Sequence, residues 1–322
     1  MLSRTAENLY WLARYVERAE YLARTIEATL RVTALPNAYI GKTNEWDSAL
    51  LTAGVSASFY ELYEEADERN VVDYLSFSPA NPSSIRNCIE NARLKSRSVR
   101  TALTSEMWDT INSAWIDLQQ GWGKGTRTRE ELTKFLRFVQ ETSLRFDGSA
   151  YRTMLRNDAY WFSRLGLHLE RADNTARILD VKYHVLLPET EQVGGYVDYY
   201  QWGALLRSVG AFRAYRRVYR DTVYPWRIAE LLILRADMPR SLHHCYEVLI
   251  GTLNELAGKK QLECRSLAGQ TFARLRYGRI DKIFGGGLHE FLTDFIASNN
   301  ALGAQIQDDF LMIPTPMAGA AA

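Results

Sequence analysis

Two short runs of charge hold the chemistry available to this chain. Glu17-Arg18-Ala19-Glu20, followed by Arg24, returns as Glu170-Arg171-Ala172-Asp173, followed by Arg177. Carboxylates and guanidinium groups at these spacings suit three kinds of work. The first is an ion-pair network, in which Glu20 meets Arg24 one helical turn on, Glu27 reaches back to Arg24, and Asp173, Arg177 and Asp180 repeat the pattern. The second is a divalent-metal site on Glu17, Glu20, Glu170 and Asp173. With no Glu-x-x-His pattern it would take Mg²⁺ or Mn²⁺ rather than iron or zinc, and the interleaved arginines oppose it. The third is a polar cleft whose arginines recognise a peptide end or a phosphate. No metal or other cofactor is expected.

Helical geometry makes these acids unusual. At about 100° per residue, Glu20 and Glu27 fall about 40° and 20° from Val16, the centre of an apolar arc of Leu9, Leu12, Ala19, Ala23, Ile26 and Leu30. Glu17 and Arg24 sit at its edge. Around Leu169 the same holds for Asp173 and Asp180 inside the arc and Glu170 and Arg177 at the edge. Buried carboxylates are costly unless paired or metal-bound. If the two helices cross, Glu17 can bond Arg171 and Glu170 can bond Arg18.

The surroundings of the runs repeat too. Glu17 and Glu170 are offset by 153 residues, Trp46, Leu50 and Gly54 by 156 from Trp202, Leu206 and Gly210, and Pro82, Ser84, Cys88 and Glu90 by 157 from Pro239, Ser241, Cys245 and Glu247. Three collinear blocks with a slowly drifting offset predict a duplicated unit, over residues 3 to about 120 and 156 to about 275, related by a pseudo-twofold axis. The expected organisation is a first repeat with a connecting helix over 1–150, a second repeat with a C-terminal helix over 151–312, and a disordered tail over 313–322.

The elements that must position the acids are helices. Apolar residues recur at three- and four-residue spacing from Ser3 to Val32, and likewise over Glu45–Tyr63, Asn70–Phe77, Ser84–Thr104, Met107–Gln119, Arg129–Phe146, Arg152–Leu187, Asp198–Tyr219, Trp226–Arg235, Ser241–Leu256, Glu263–Tyr277 and Leu288–Phe310. Period-two alternation is never sustained. The fold class is therefore all-α, a duplicated bundle of about a dozen helices.

A net charge of +1 excludes a global field toward nucleic acid or an anionic membrane. Arg213 and Arg216, with Arg217, Arg220 and two tyrosines, read as a solvated face with anion contacts rather than a nucleic-acid patch. Arg4, Arg14, Arg240 and Ser241 are further anion-contact candidates, and Ser84 and Ser241 stand where helix caps belong. Cys88, Cys245 and Cys264 have no ligand or disulfide spacing and read as core residues. His184 extends the stripe of Asp173, Arg177 and Asp180. The N-terminus shows no signal peptide and no apolar run is long enough to span a membrane, so a cytoplasmic location is expected, with no membrane partner.

The opening run from Met1 to Glu20, the second signature Leu169-Glu170-Arg171-Ala172-Asp173-Asn174-Thr175-Ala176-Arg177 through Tyr183, and the later Tyr215-Arg216-Arg217-Val218-Tyr219 and Pro239-Arg240-Ser241 together resemble the bacterial alpha-E family over essentially the whole chain. Ala13 departs from the glycine common there. The resemblance implies an all-helical fold and an association with circularly permuted ATP-grasp ligases, transglutaminase-like peptidases and proteasome-related hydrolases. The function it implies is that of an accessory partner in peptide or amide-bond synthesis or modification, binding the ligase or its peptide substrate. The alternative is an enzyme in its own right, acting on a peptide or acyl intermediate at the charged site between the repeats, with Mg or Mn as its metal if it uses one.

Overall fold

Between Ser3 and Thr33 no glycine or proline interrupts the apolar spacing, and one helix (α1, Ser3–Thr33) results. The computed structural model describes residues 1–34, 44–123, 125, 128–185 and 196–311, leaving aside the side chains of 182–185 and 196–200. Its fifteen helices and absence of strands among these residues agree with the expected all-α class. After α1 come α2 (Glu45–Ala53), α3 (Ser56–Tyr60), α4 (Glu68–Ser76), α5 (Ile85–Ser98), α6 (Ser105–Trp122) and α7 (Arg129–Thr153). The remainder are α8 (Asp158–Val185), α9 (Tyr196–Ser208), α10 (Phe212–Tyr219), α11 (Pro225–Ile233), α12 (Leu242–Ala257), α13 (Glu263–Arg276), α14 (Ile280–Gly285) and α15 (Leu288–Ile306). The expected tail, 313–322, lies outside the described residues.

The helix count exceeds a dozen because several continuous apolar patterns break. Gly54 ends α2 at φ 70° and Gly210 follows α9 at φ 68°, a left-handed geometry that glycine adopts without a Cβ clash. The patterns 45–63 and 198–219 are each split there. Asn157 accepts from the Ala159 N–H at 3.1 Å and restarts the chain as α8, so the pattern assigned to 152–187 begins later and α7 runs longer than expected. After α5 the chain tightens into a 3₁₀ turn over Arg100–Ala102, and α15 passes into a π turn over Gln307–Leu311.

α1 and α8 lie against each other at the centre, with α5 and α7 packed on α1, and α12 and α15 on α8. The short helices cross over: α2 packs on α8 and α9 on α1. The central pair approaches closely at Gly166, where a Cβ would collide with the Tyr10 carbonyl oxygen. One apolar cluster runs through both halves of the chain, joining Leu9, Leu12 and Val16 to Leu165, Leu169 and Leu249. A second, around Leu22, Ile26, Leu50, Val71 and Phe135, belongs to residues before 140. Residue 150 falls in the last turn of α7.

Candidate functional site

The wide apolar arcs of α1 and α8 force these helices together, and the turns holding the Glu-Arg runs meet. Glu17 accepts from Arg171 Nε at 2.9 Å and Nη2 at 2.8 Å, and from Arg240 Nη1 at 2.8 Å. Glu170 accepts from Arg18 Nε at 2.6 Å and Nη2 at 3.1 Å, and from Arg14 Nε at 2.7 Å. The expected crossed pairs, Glu17 with Arg171 and Glu170 with Arg18, are both formed, and both are bidentate. Glu20 receives Arg24 Nε at 2.7 Å, Arg240 Nη2 at 2.9 Å and Ser143 Oγ at 3.0 Å.

These three glutamates are buried. Burial alone would push up the carboxyls of Glu17 and Glu170. The arginines outweigh it, Arg171 and Arg240 beside Glu17 and Arg18 and Arg14 beside Glu170, and hold each down to about 2. Both therefore remain charged at any physiological pH.

Asp173, at the place in its run that Glu20 takes in the other, is served differently. It receives only Arg177 Nε, at 2.7 Å, and its Oδ1 is enclosed without a partner among the described residues. Burial pushes its carboxyl up, and Arg177 offsets this only in part.

Arg240 accounts for much of this difference. Thr175 Oγ1 donates to its carbonyl at 2.9 Å, and the next residue, Ser241, caps α12 by accepting from His244 N at 3.0 Å. The place before the other cap, Ser84, is taken by Ser83, which accepts from Arg18 Nη1 at 3.2 Å. A serine cannot span to a second carboxylate as the guanidinium of Arg240 does.

Other candidates are placed otherwise than expected. Glu27 pairs with Arg31 at 2.6 Å and accepts from Gln140 at 2.9 Å, rather than pairing with Arg24, whose Nε is committed to Glu20. Asp180 meets His289 Nδ1 at 2.6 Å rather than Arg177. Arg14 and Arg240, expected to contact anions, are spent on the glutamates, and Ser241 is a cap. Arg4, Arg213 and Arg216 are exposed, the last over the Phe212 ring at 5.4 Å. The His184 side chain lies outside the described residues. Ser143, Gln140 and His289 gave no signal in the sequence, because only packing brings α7 and α15 to the acids.

The four acids considered for Mg²⁺ or Mn²⁺ are each paired with arginine, and no group of three or more potential ligands converges among the described residues. The donor set does not fit such an ion. Burial pushes the thiols of Cys88, Cys245 and Cys264 up to about 12, which removes the thiolate at neutral pH. No helix among the described residues is long and apolar enough to cross a membrane.

No solved structure matches the chain. An uncharacterised protein of Mycobacterium bovis and another of Mycobacterium tuberculosis are each 23% identical over 333 aligned positions, which take in 95% of this chain and 36% of theirs. The chain thus spans about a third of the length of these relatives. With the two Glu-Arg runs cross-paired where α1 and α8 meet, and with a family model of a predicted alpha-helical domain with a conserved ER motif matching residues 1–311, the chain belongs to the alpha-E family.

Proposed function

We propose that this chain is a helical binding partner, without catalysis of its own, of a circularly permuted ATP-grasp ligase that makes or modifies amide bonds in peptides, and that it holds the ligase or its peptide substrate in the cytoplasm. We further propose that it is a duplicated unit in which α1 and α8 flank a pseudo-twofold axis.

One observation supports this most directly: Glu17, Glu20 and Glu170 each lie between two arginines. A general acid or base works best with a pKa near the working pH, and the carboxyls of Glu17 and Glu170, held at about 2, are far from it. The Glu-Arg motif then serves to join the two central helices, and the chain's work falls to its surfaces. That the mycobacterial relatives extend well beyond the matched region suits a module acting beside other polypeptide.

The test is to mix the purified chain with a circularly permuted ATP-grasp ligase from the same genome and measure complex formation and ATP-dependent peptide modification with and without it. Binding together with altered turnover is expected. Failure of both would overturn the proposal.

An enzymatic reading has Asp173 in its favour, as the one acid of the two runs with an unpartnered oxygen and a raised pKa. It requires that the isolated chain act on a peptide or acyl intermediate and that Asp173→Asn abolish that activity while leaving ligase binding intact.

A further inference from the structure

α1, α2, α8 and α9 line a second feature, away from the Glu-Arg pairs: a partly open cavity of about 60 Å³. Its lining comes in pairs under the offsets read from the sequence. Thr25 and Ala28 accompany Ile178 and Val181 at 153, and Glu45 and Ala49 accompany Gln201 and Leu205 at 156.

The 45/201 pair breaks the balance of charge. Gln201 Nε2 donates to Glu45 Oε1 at 2.7 Å, joining the two positions directly. Four carboxylates are buried among the described residues, and three of them, Glu17, Glu20 and Glu170, have two arginines each. Glu45 has no cation within ion-pair distance among the described residues. A buried carboxylate so placed is costly until a positive charge joins it.

The remaining polar lining offers acceptors. Gln201 Oε1 is buried without a partner among the described residues, and the Thr25 and Tyr21 hydroxyls are buried beside each other. The hydroxyls of Thr29, Ser48, Thr52 and Ser208 donate to helix carbonyls and so turn lone pairs outward. Among the described residues no lysine, arginine or histidine lines the space, and Ala28, Ala49, Ile178, Ala204 and Leu205 make its walls apolar.

We infer that this cavity binds a primary ammonium group on a short aliphatic stem, with the ammonium at the Glu45 carboxylate, Gln201 Oε1 and Thr25 Oγ1. An ammonium has three donors and no acceptor, which matches an acceptor-lined pocket of single negative charge. One water needs about 10–15 Å³ of such space, so the cavity takes about four to six non-hydrogen atoms. The group comes from a free alkylamine, a lysine side chain or the amino end of a peptide. The inference does not depend on the ligase proposal.

Calorimetric titration of the full chain with n-butylammonium chloride tests it, with n-butanol as the uncharged control. Butylammonium is expected to bind at least about tenfold more tightly than butanol, and Glu45→Gln to weaken it by about tenfold, the usual worth of one charged hydrogen bond. Ala204→Leu, which fills the cavity and leaves Glu45 in place, is expected to abolish binding without loss of helical circular dichroism. Titration with Nα-acetyl-lysine amide and with alanine amide identifies the source: tight binding of the first points to a lysine side chain, of the second to a peptide amino end, and of neither to a free amine. Absence of butylammonium binding, equal binding of butanol, or unchanged binding by a folded Glu45→Gln or Ala204→Leu variant would overturn the inference.

Discussion

Glu20 and Asp173 hold corresponding places in the two Glu-Arg runs, yet one is saturated and the other is not. Glu20 has two arginines and a serine, whereas Asp173 has one arginine and an enclosed, unpartnered oxygen. Both helices supply the i to i+4 arginine, Arg24 and Arg177, so local sequence spacing is not the cause. The difference arises one residue before each helix cap, where Arg240 bridges Glu17 and Glu20, while Ser83 reaches only Arg18. A charged motif is therefore neutral or strained according to a residue far from it in the chain.

Acid should have the largest effect, acting on the arginine-paired glutamates and not on Asp173. Glu17 and Glu170 have folded-state values of about 2, below the ordinary carboxylate value, so their contribution is fully present above about pH 4.5 and is lost as pH falls from there to about 2. A loss on the order of 3 kcal/mol for each is expected in urea unfolding followed across that window. Glu17→Gln should flatten the curve.

Arg171→Leu comes next. It leaves the buried Glu17 with Arg240 alone and should destabilise by about 3 kcal/mol at pH 7, with an unchanged dependence on urea concentration. A loss of less than about 0.5 kcal/mol would show the central pair to be dispensable.

Arg240→Ser makes the second cap resemble the first and takes one arginine from both Glu17 and Glu20. About 2 kcal/mol should be lost. The mutant would then show, at Glu20, whether Arg24 and Ser143 suffice.

Asp173→Asn should have the smallest effect and the opposite sign. Its folded-state pKa is raised, so the ionised form costs stability as pH rises above the ordinary value of 3.8, and removing the charge is expected to raise stability at pH 7 by up to about 1 kcal/mol. Thermal unfolding of the two proteins at matched pH measures this. A loss as large as that of Arg240→Ser would make Asp173 an ordinary structural ion pair and dissolve the contrast with Glu20.

Much of the network is legible in residue spacing alone. The angular position of Glu20 and Asp173 inside apolar arcs marks them for burial, whereas Glu17 and Glu170, at the arc edges, are buried because α1 and α8 meet there; the intrahelical pairs Glu20–Arg24 and Asp173–Arg177 follow from a four-residue spacing. Even the crossed pairs, Glu17–Arg171 and Glu170–Arg18, need only the assumption that α1 and α8 meet. Spacing misleads at Glu27 and Asp180, because proximity along a helix offers Arg24 and Arg177, whose Nε atoms are already committed, while Gln140 and His289 arrive from α7 and α15.

By itself, the sequence determined the all-helical class, the caps at Ser84 and Ser241, the burial of Glu20, and the pairs Glu20–Arg24 and Asp173–Arg177. These depend on backbone periodicity and on contacts within one or two turns, which spacing encodes. Tertiary structure alone decided that Arg14 and Arg240 complete the pairing of the glutamates, that Asp173 keeps an oxygen without a partner among the described residues, and that Glu45 meets Gln201 at a cavity with no cation among the described residues. Such contacts join residues 156 to 223 positions apart, and their existence depends on where packed helices set side-chain tips, a distance that no local pattern records.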